Sequence, residues 1–228
     1  LIGVVLFGLF LRIDSRSPTH LLPRAIGNPK SAAAARLFMI FSLNVATVSF
    51  SVYGAALLQR LYGATPILAG YILASGAMSW TLAALIVAGR GSGRGAIRIG
   101  VVLIALGQAG LTFAVPHGSV AVIGALTLAS GAGFGLAWSF IASRIVANTP
   151  DAERALASAS VPTASMIGAA VGAAAAGAIA SGLGFGRDMS VAHASAAGFW
   201  LFAAFVPFSA LACIAAWRLT SLRFAASV

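Results

Sequence analysis

Polar side chains recur at helical spacing inside a very apolar part of this chain. Asn44, Thr47 and Ser51 lie three and four residues apart, and Gln59 follows two turns later on roughly the same face. Their amide and hydroxyl groups form hydrogen bonds, which a bound small molecule or a neighbouring helix can complete. Asn44 is the strongest candidate for ligand contact, because an amide finds no ready partner in lipid. Both interpretations stay open from the sequence.

A second row combines polar and aromatic side chains. Thr127, Ser130, Phe134 and Trp138 follow one another at spacings of three and four. Aromatic faces suit lipophilic, planar or cationic compounds. The alternative is that Phe134 and Trp138 only pack against other helices or lipid. Trp80 and Trp200 are expected to be structural, and Trp217 to anchor at a membrane interface.

Carboxylates and histidines are rare, and none is predicted to lie in an apolar segment. Catalysis, metal binding and proton coupling within a membrane need such groups. All four carboxylates and all three histidines are predicted to lie in loops: Asp14, Asp151, Glu153, Asp188, His20, His117 and His193. We therefore predict no catalytic residue, no metal site, no cofactor and no enzymatic activity.

The composition indicates that lipid surrounds most of the chain. Of 228 residues, 60% are hydrophobic and 8% charged, which is more apolar surface than one soluble core can hide. A transmembrane helix needs about 20 apolar residues. Six segments meet this length and define an all-α membrane domain over residues 36–217: 36–60, 67–88, 99–115, 119–147, 155–183 and 196–217. Residues 1–11 are too few to span and are expected to be the end of a truncated preceding helix.

Basic residues alternate between the two sides of these spans. Twelve of the fourteen Lys and Arg residues fall on one side, and only Arg60 and Arg187 fall on the other. Because Lys and Arg concentrate in cytoplasmic loops, we expect the basic side to be cytoplasmic. Both chain ends then lie there, including a linker at 12–35 and a tail at 218–228. The excess of Arg over Lys, with abundant Ala and Gly, is typical of GC-rich bacterial genomes, which predicts the bacterial cytoplasmic (inner) membrane.

The segment GRGSGRGAIR, residues 89–98, is the most basic turn. Gly89 and the other glycines permit a tight reversal, while Arg90, Arg94 and Arg98 keep it from crossing. It is a single turn without interleaved aromatic residues, so RNA binding is disfavoured and no nucleic-acid partner is expected. Elsewhere, glycines at spacings of four predict close helix packing in lipid: Gly131, Gly135, Gly168 and Gly172.

Several stretches together resemble the C-terminal half of major facilitator superfamily transporters, most closely the fourteen-span drug/proton antiporter branch. RSPTHLLPRAIGNP resembles the linker before that half, LLQRLYGATPILAGYIL its first hairpin, and GRGSGRGAIR a decayed copy of the family's cytoplasmic loop motif. GAGFGLAWSFIASRIVANTPDAERALASAS resembles its fourth and fifth spans with their link. The resemblance implies two inverted three-helix repeats, a missing N-terminal half as partner, and a central cavity near the bilayer midplane.

The resemblance also implies a function. This chain is expected to be half of an exporter that moves small lipophilic or amphiphilic compounds by alternating access. A twelve-span sugar or metabolite carrier is the alternative within transport. A membrane-embedded fragment or partner-binding module that transports nothing is the alternative outside it.

Overall fold

Apolar segments separated by short turns form a bundle of helices. The computed structural model describes residues 32–88, 93–147, 154–185 and 190–220. Within those ranges the chain forms seven α-helices, with no strand among the described residues: α1 (Ala32–Tyr62), α2 (Pro66–Val87), α3 (Arg94–His117), α4 (Val120–Ala147), α5 (Arg154–Gly182), α6 (Val191–Ala203) and α7 (Val206–Thr220). Six segments are long and apolar enough to cross a membrane, since α6 and α7 follow one another as one segment. The predicted all-α membrane fold with six spans is confirmed.

Local sequence explains where helices begin and bend. Thr65 caps α2 by accepting a hydrogen bond from the Leu68 amide, and Pro66 occupies the first helical position, where its missing N–H costs nothing. Pro207 lies at the second position of α7. Because proline cannot donate to the preceding turn, α6 ends in a tightened turn, with the Phe205 amide bonded to the Phe202 carbonyl at 3.0 Å.

The bundle has two inner and several peripheral helices. Helix α1 packs against α5 and α7, and α3 packs against α4, α6 and α7. Helix α4 also lies along α2. In consequence α1 and α3 are the most buried segments, whereas α2 and α5 are the least buried.

The apolar core is divided into two clusters along the bundle axis. In α1, Leu43 belongs to one cluster and Val45 to the other; in α3 the corresponding residues are Ile104 and Leu111. Polar Asn44 and Gln108 lie between these pairs. The boundary between the clusters therefore coincides with the polar positions of the two inner helices.

Hydrogen bonds join the helix ends at both ends of the bundle. At the arginine-rich end, Arg36 donates to the Arg144 carbonyl at 3.3 Å. Arg98 donates to the Thr220 hydroxyl at 2.6 Å and stacks 4.5 Å over the Trp217 ring.

At the opposite end, the Tyr62 hydroxyl lies 2.9 and 2.8 Å from the Ala114 and Val115 carbonyls. Those carbonyls belong to the last turn of α3, and the Ala114 carbonyl also accepts a hydrogen bond from the Gly118 amide at 2.8 Å. Tyr62 thereby ties the end of α1 to the end of α3.

Some helix boundaries differ from the expected ones. Helix α3 begins at Arg94, so Arg94 and Arg98 are helical rather than part of a turn that continues to residue 98. Helix α1 begins at Ala32, inside the expected linker, and the sixth segment covers Val191–Thr220 rather than 196–217. Gly89 and Arg90, residues 1–31 and the tail beyond Thr220 lie outside the described residues, and the inverted repeat stays a prediction.

Candidate functional site

A cavity of about 370 Å³ lies among five helices, at the level where the two apolar clusters meet. Its lining comes from the middle of each helix. Seven of the eight residues in the two predicted rows line it together: Asn44, Thr47, Ser51, Thr127, Ser130, Phe134 and Trp138. Helices α2, α3 and α5 contribute further residues: Leu73, Gly76, Ala77, Trp80, Gln108, Leu111 and Ser165. The periodic polar and aromatic rows of α1 and α4 thus face one shared space.

Asn44 both lines the cavity and joins two helices. Its amide nitrogen donates to the Ile40 carbonyl at 2.9 Å, within α1. Its carbonyl oxygen accepts a hydrogen bond from Ser165 of α5 at 3.0 Å. Thr47 donates to the Leu43 carbonyl at 2.9 Å. The structural alternative for Asn44, a hydrogen bond between helices, is therefore present alongside its position in the cavity wall.

Gln108 supplies a polar group that the sequence interpretation overlooked. It is 2% exposed and lines the cavity from α3. Its Nε2 donates to the Ala46 carbonyl of α1, but its Oε1 has no hydrogen-bond partner among the described residues. The sequence could have identified Gln108 as a candidate, because it is a lone amide in an apolar span. The same reason singled out Asn44.

Three aromatic rings form one wall of the cavity. The centroids of Trp80 and Phe134 are 5.4 Å apart, and Trp138 lies 6.3 Å from Trp80 and 6.2 Å from Phe134. Tilted and edge-to-face contacts at these distances are favourable for aromatic pairs. Trp80 was expected to be only structural, so its place in the lining is a difference from the sequence interpretation.

Close helix contacts at glycines bring these walls together. A side chain at Gly131 would collide with the Gly76 carbonyl and Ser79, and one at Gly135 with the Trp80 carbonyl. Helix α4 can therefore lie flush against α2, which sets Trp80 beside Phe134.

Glycines also shape the contact between α5 and α1. A Cβ at Gly168 would lie 2.6 Å from the Phe41 carbonyl oxygen, and one at Gly172 would lie 2.6 Å from Val48 Cγ1. The close approach of the two helices brings Ser165 to Asn44.

Other predicted positions lie apart from the cavity. Gln59 is exposed near the end of α1 and does not line it. His117 ends α3 and His193 lies in the first turn of α6, so both are exposed at helix ends rather than in loops. The four carboxylates lie outside the described residues.

The described part of the cavity wall carries no charged side chain. In the same ranges, no three His, Cys, Asp or Glu side chains cluster so as to hold a metal ion. What the arrangement offers a ligand is an apolar, aromatic surface with a few amide and hydroxyl groups.

Comparison with known proteins adds no family assignment. No protein-family model matches the chain, and no curated protein matches its sequence.

Proposed function

We propose that this chain is one half of a major facilitator-type exporter and that its cavity forms part of the path for small lipophilic or amphiphilic compounds. The observation that carries the proposal is the cavity itself. All but Gln59 of two rows of residues on different helices, chosen by helical spacing and by the family resemblance of their spans, line one uncharged, partly aromatic space. A space of this kind suits lipophilic molecules better than sugars, whose many hydroxyl groups need a matching set of polar partners.

The position of the cavity also supports transport. Its lining comes from the middle of helices long enough to cross a bilayer, which is the depth at which carriers bind their substrates. In the proposed mechanism, a second half closes the other side of the cavity. The two halves rock against each other, and the cavity opens first to one side of the membrane and then to the other.

Helices α2 and α4 pack closely within this half. Ser79 of α2 lies against Gly131, and Thr127 of α4 lies against Gly76. The proton carrier of an antiporter would have to be in the other half, since proton coupling within the membrane requires an ionisable group there. The alternative within transport remains a twelve-span sugar or metabolite carrier. Eight further spans encoded upstream would favour the fourteen-span branch, and six the twelve-span alternative.

The test uses the complete protein in proteoliposomes, with efflux of ethidium and uptake of a labelled sugar measured in parallel. Ser51 lines the cavity, whereas its neighbour Val52 is 49% exposed and does not. Ser51→Trp places an indole in the cavity and is expected to lower ethidium efflux at least about tenfold, whereas Val52→Trp retains it.

Ethidium efflux that is unchanged by both Ser51→Trp and Val52→Trp would contradict the assignment of the cavity as the path of the transported compound. Sugar transport without ethidium transport would favour the alternative carrier. Transport by the 228 residues alone would show that the chain is not half of a carrier.

A further inference from the structure

We propose that the cavity selects aromatic ligands that carry a hydrogen-bond donor, and that Oε1 of Gln108 accepts the hydrogen bond from this donor. The inference rests on the proposed function only in treating the cavity as a binding site, and it adds the chemical class of the ligand. It assigns a specificity-determining role to a residue of α3.

The orientation of the Gln108 amide follows from its neighbour. The Ala46 carbonyl oxygen lies against one end of the amide. Since an oxygen there would repel the carbonyl, that end must be the NH₂ group. The other end is Oε1, an acceptor, and it has no partner among the described residues.

A second polar atom lies close to the same part of α3. Ser130 Oγ contacts α3 at Gly107, the residue before Gln108, and it too lacks a partner within the described ranges. A side chain at position 107 would occupy the place of this hydroxyl. The absence of a Cβ at Gly107 thus allows the Ser130 hydroxyl to lie against α3, one residue before Gln108.

These two groups differ from other buried polar atoms that have no partner. Ser42 and Ser49 hydroxyls are buried without a partner as well, but neither residue lines the cavity. Gln108 and Ser130 do line it. The cavity therefore combines unsatisfied polar atoms with the aromatic wall of Trp80, Phe134 and Trp138.

The chemistry of a ligand in the cavity determines whether Oε1 accepts a hydrogen bond. If it carries an N–H or O–H group, it can donate to Oε1 while its ring lies against the aromatic wall. If it lacks a donor, Oε1, which is buried from water before the ligand arrives, stays without a hydrogen bond. The first kind of ligand is therefore expected to bind about tenfold or more tightly than the second.

Two isomers with the same atoms test this directly. In 2-methylbenzimidazole the ring keeps its N–H, whereas in 1-methylbenzimidazole a methyl group replaces that hydrogen. Binding is measured by equilibrium dialysis against the purified chain in lipid nanodiscs, with empty nanodiscs subtracted, at a pH where both rings are neutral. We expect the 2-methyl isomer to bind at least about tenfold more tightly.

Variants then assign the preference to Gln108. Gln108→Leu is expected to reduce the ratio of the two affinities to about twofold or less, because the acceptor is gone. If the Gln108→Leu variant unfolds, the same measurement is made on Gln108→Met, whose side chain is similar in length to that of glutamine. Thr112→Val is the control: Thr112 is buried on the same helix and bonds the Gln108 main-chain carbonyl at 3.0 Å, but it does not line the cavity. The Thr112→Val variant should keep the full preference for 2-methylbenzimidazole.

Equal affinity of the two isomers for the unaltered chain would overturn the inference, and so would binding of neither isomer. A preference that survives both Gln108 substitutions would also overturn it. Because the measurement is of binding, it is separate from transport. A complete protein that fails to export ethidium contradicts the proposed function, and leaves an isomer preference, if found, as support for the site.

Discussion

The side-chain amides of Asn44 and Gln108 show how polar groups are accommodated in this apolar bundle. Each amide forms a hydrogen bond to a main-chain carbonyl, which removes most of the cost of placing it away from water. The remaining oxygen of Asn44 is bonded by Ser165, whereas that of Gln108 is not bonded within the described residues. Asn44 therefore contributes to structure, and Gln108 retains an acceptor for a ligand.

The hydrogen bond between Asn44 and Ser165 is expected to stabilise the contact of α1 with α5. In a double-mutant cycle of Asn44→Ala and Ser165→Ala, measured by chemical unfolding in detergent, we expect a coupling free energy of about 0.6 kcal/mol, and at most about 1.7 kcal/mol. A second cycle, in which Ser158→Ala takes the place of Ser165→Ala, is the matched control. The exposed Ser158 hydroxyl bonds the Ala155 carbonyl of its own helix. A coupling of zero between Asn44 and Ser165 would mean that the bond contributes nothing.

At the scale of helices, apolar length made the spans predictable from sequence, but not their exact limits. An apolar run of about 20 residues has few alternatives to crossing as a helix. The start of α3 was missed because Arg94 and Arg98 were assigned to a turn by their charge. Arg98 is instead held by contacts with Thr220 and Trp217, 122 and 119 positions away, which sequence alone does not reveal.

Periodicity also predicted which residues share a face, though not how deep each one lies. Seven of the eight residues in the two predicted rows line the cavity, because spacings of three and four fix the angular position on a helix. Gln59 shares the face of Ser51 but lies eight positions further on, about 12 Å along the axis at 1.5 Å per residue. It is thereby placed beyond the cavity.

Glycine at the contact of α2 with α4 is expected to be essential to their packing. In Gly131→Ala the added methyl group would collide with the Gly76 carbonyl, and the two helices must move apart. We expect a loss of about 1–3 kcal/mol in the free energy of unfolding, together with a change in tryptophan fluorescence from Trp80 and Trp138.

Gly124 on the same helix provides the control. A Cβ at Gly124 meets no atom within 4 Å, so Gly124→Ala should be neutral or stabilising, since alanine favours helix formation. Equal effects of the two substitutions would show that the close contact at Gly131 is unimportant.

For the whole molecule, the two ends of the bundle differ in charge. Arg36, Arg98 and Arg144 meet helix ends at one end, while the Tyr62 contacts lie at the other. This agrees with the alternation of basic residues along the sequence, which places twelve of fourteen on one side. A bundle with this asymmetry is expected to insert with its basic end in the cytoplasm. The cavity is expected near the middle of the bilayer, because its lining comes from the middle of the helices.

Cysteine labelling in intact cells tests the membrane crossing of α3 and the orientation of the bundle most directly. With Cys213 replaced by Ala, Ser92→Cys places a thiol in the arginine-rich segment that precedes α3 in the sequence, and Ser119→Cys places one at the exposed residue before α4. With a membrane-impermeant maleimide we predict that Ser119→Cys is labelled from outside, whereas Ser92→Cys is labelled only after the cells are permeabilised. Labelling of Ser92→Cys in intact cells, or identical labelling of both positions, would contradict this orientation.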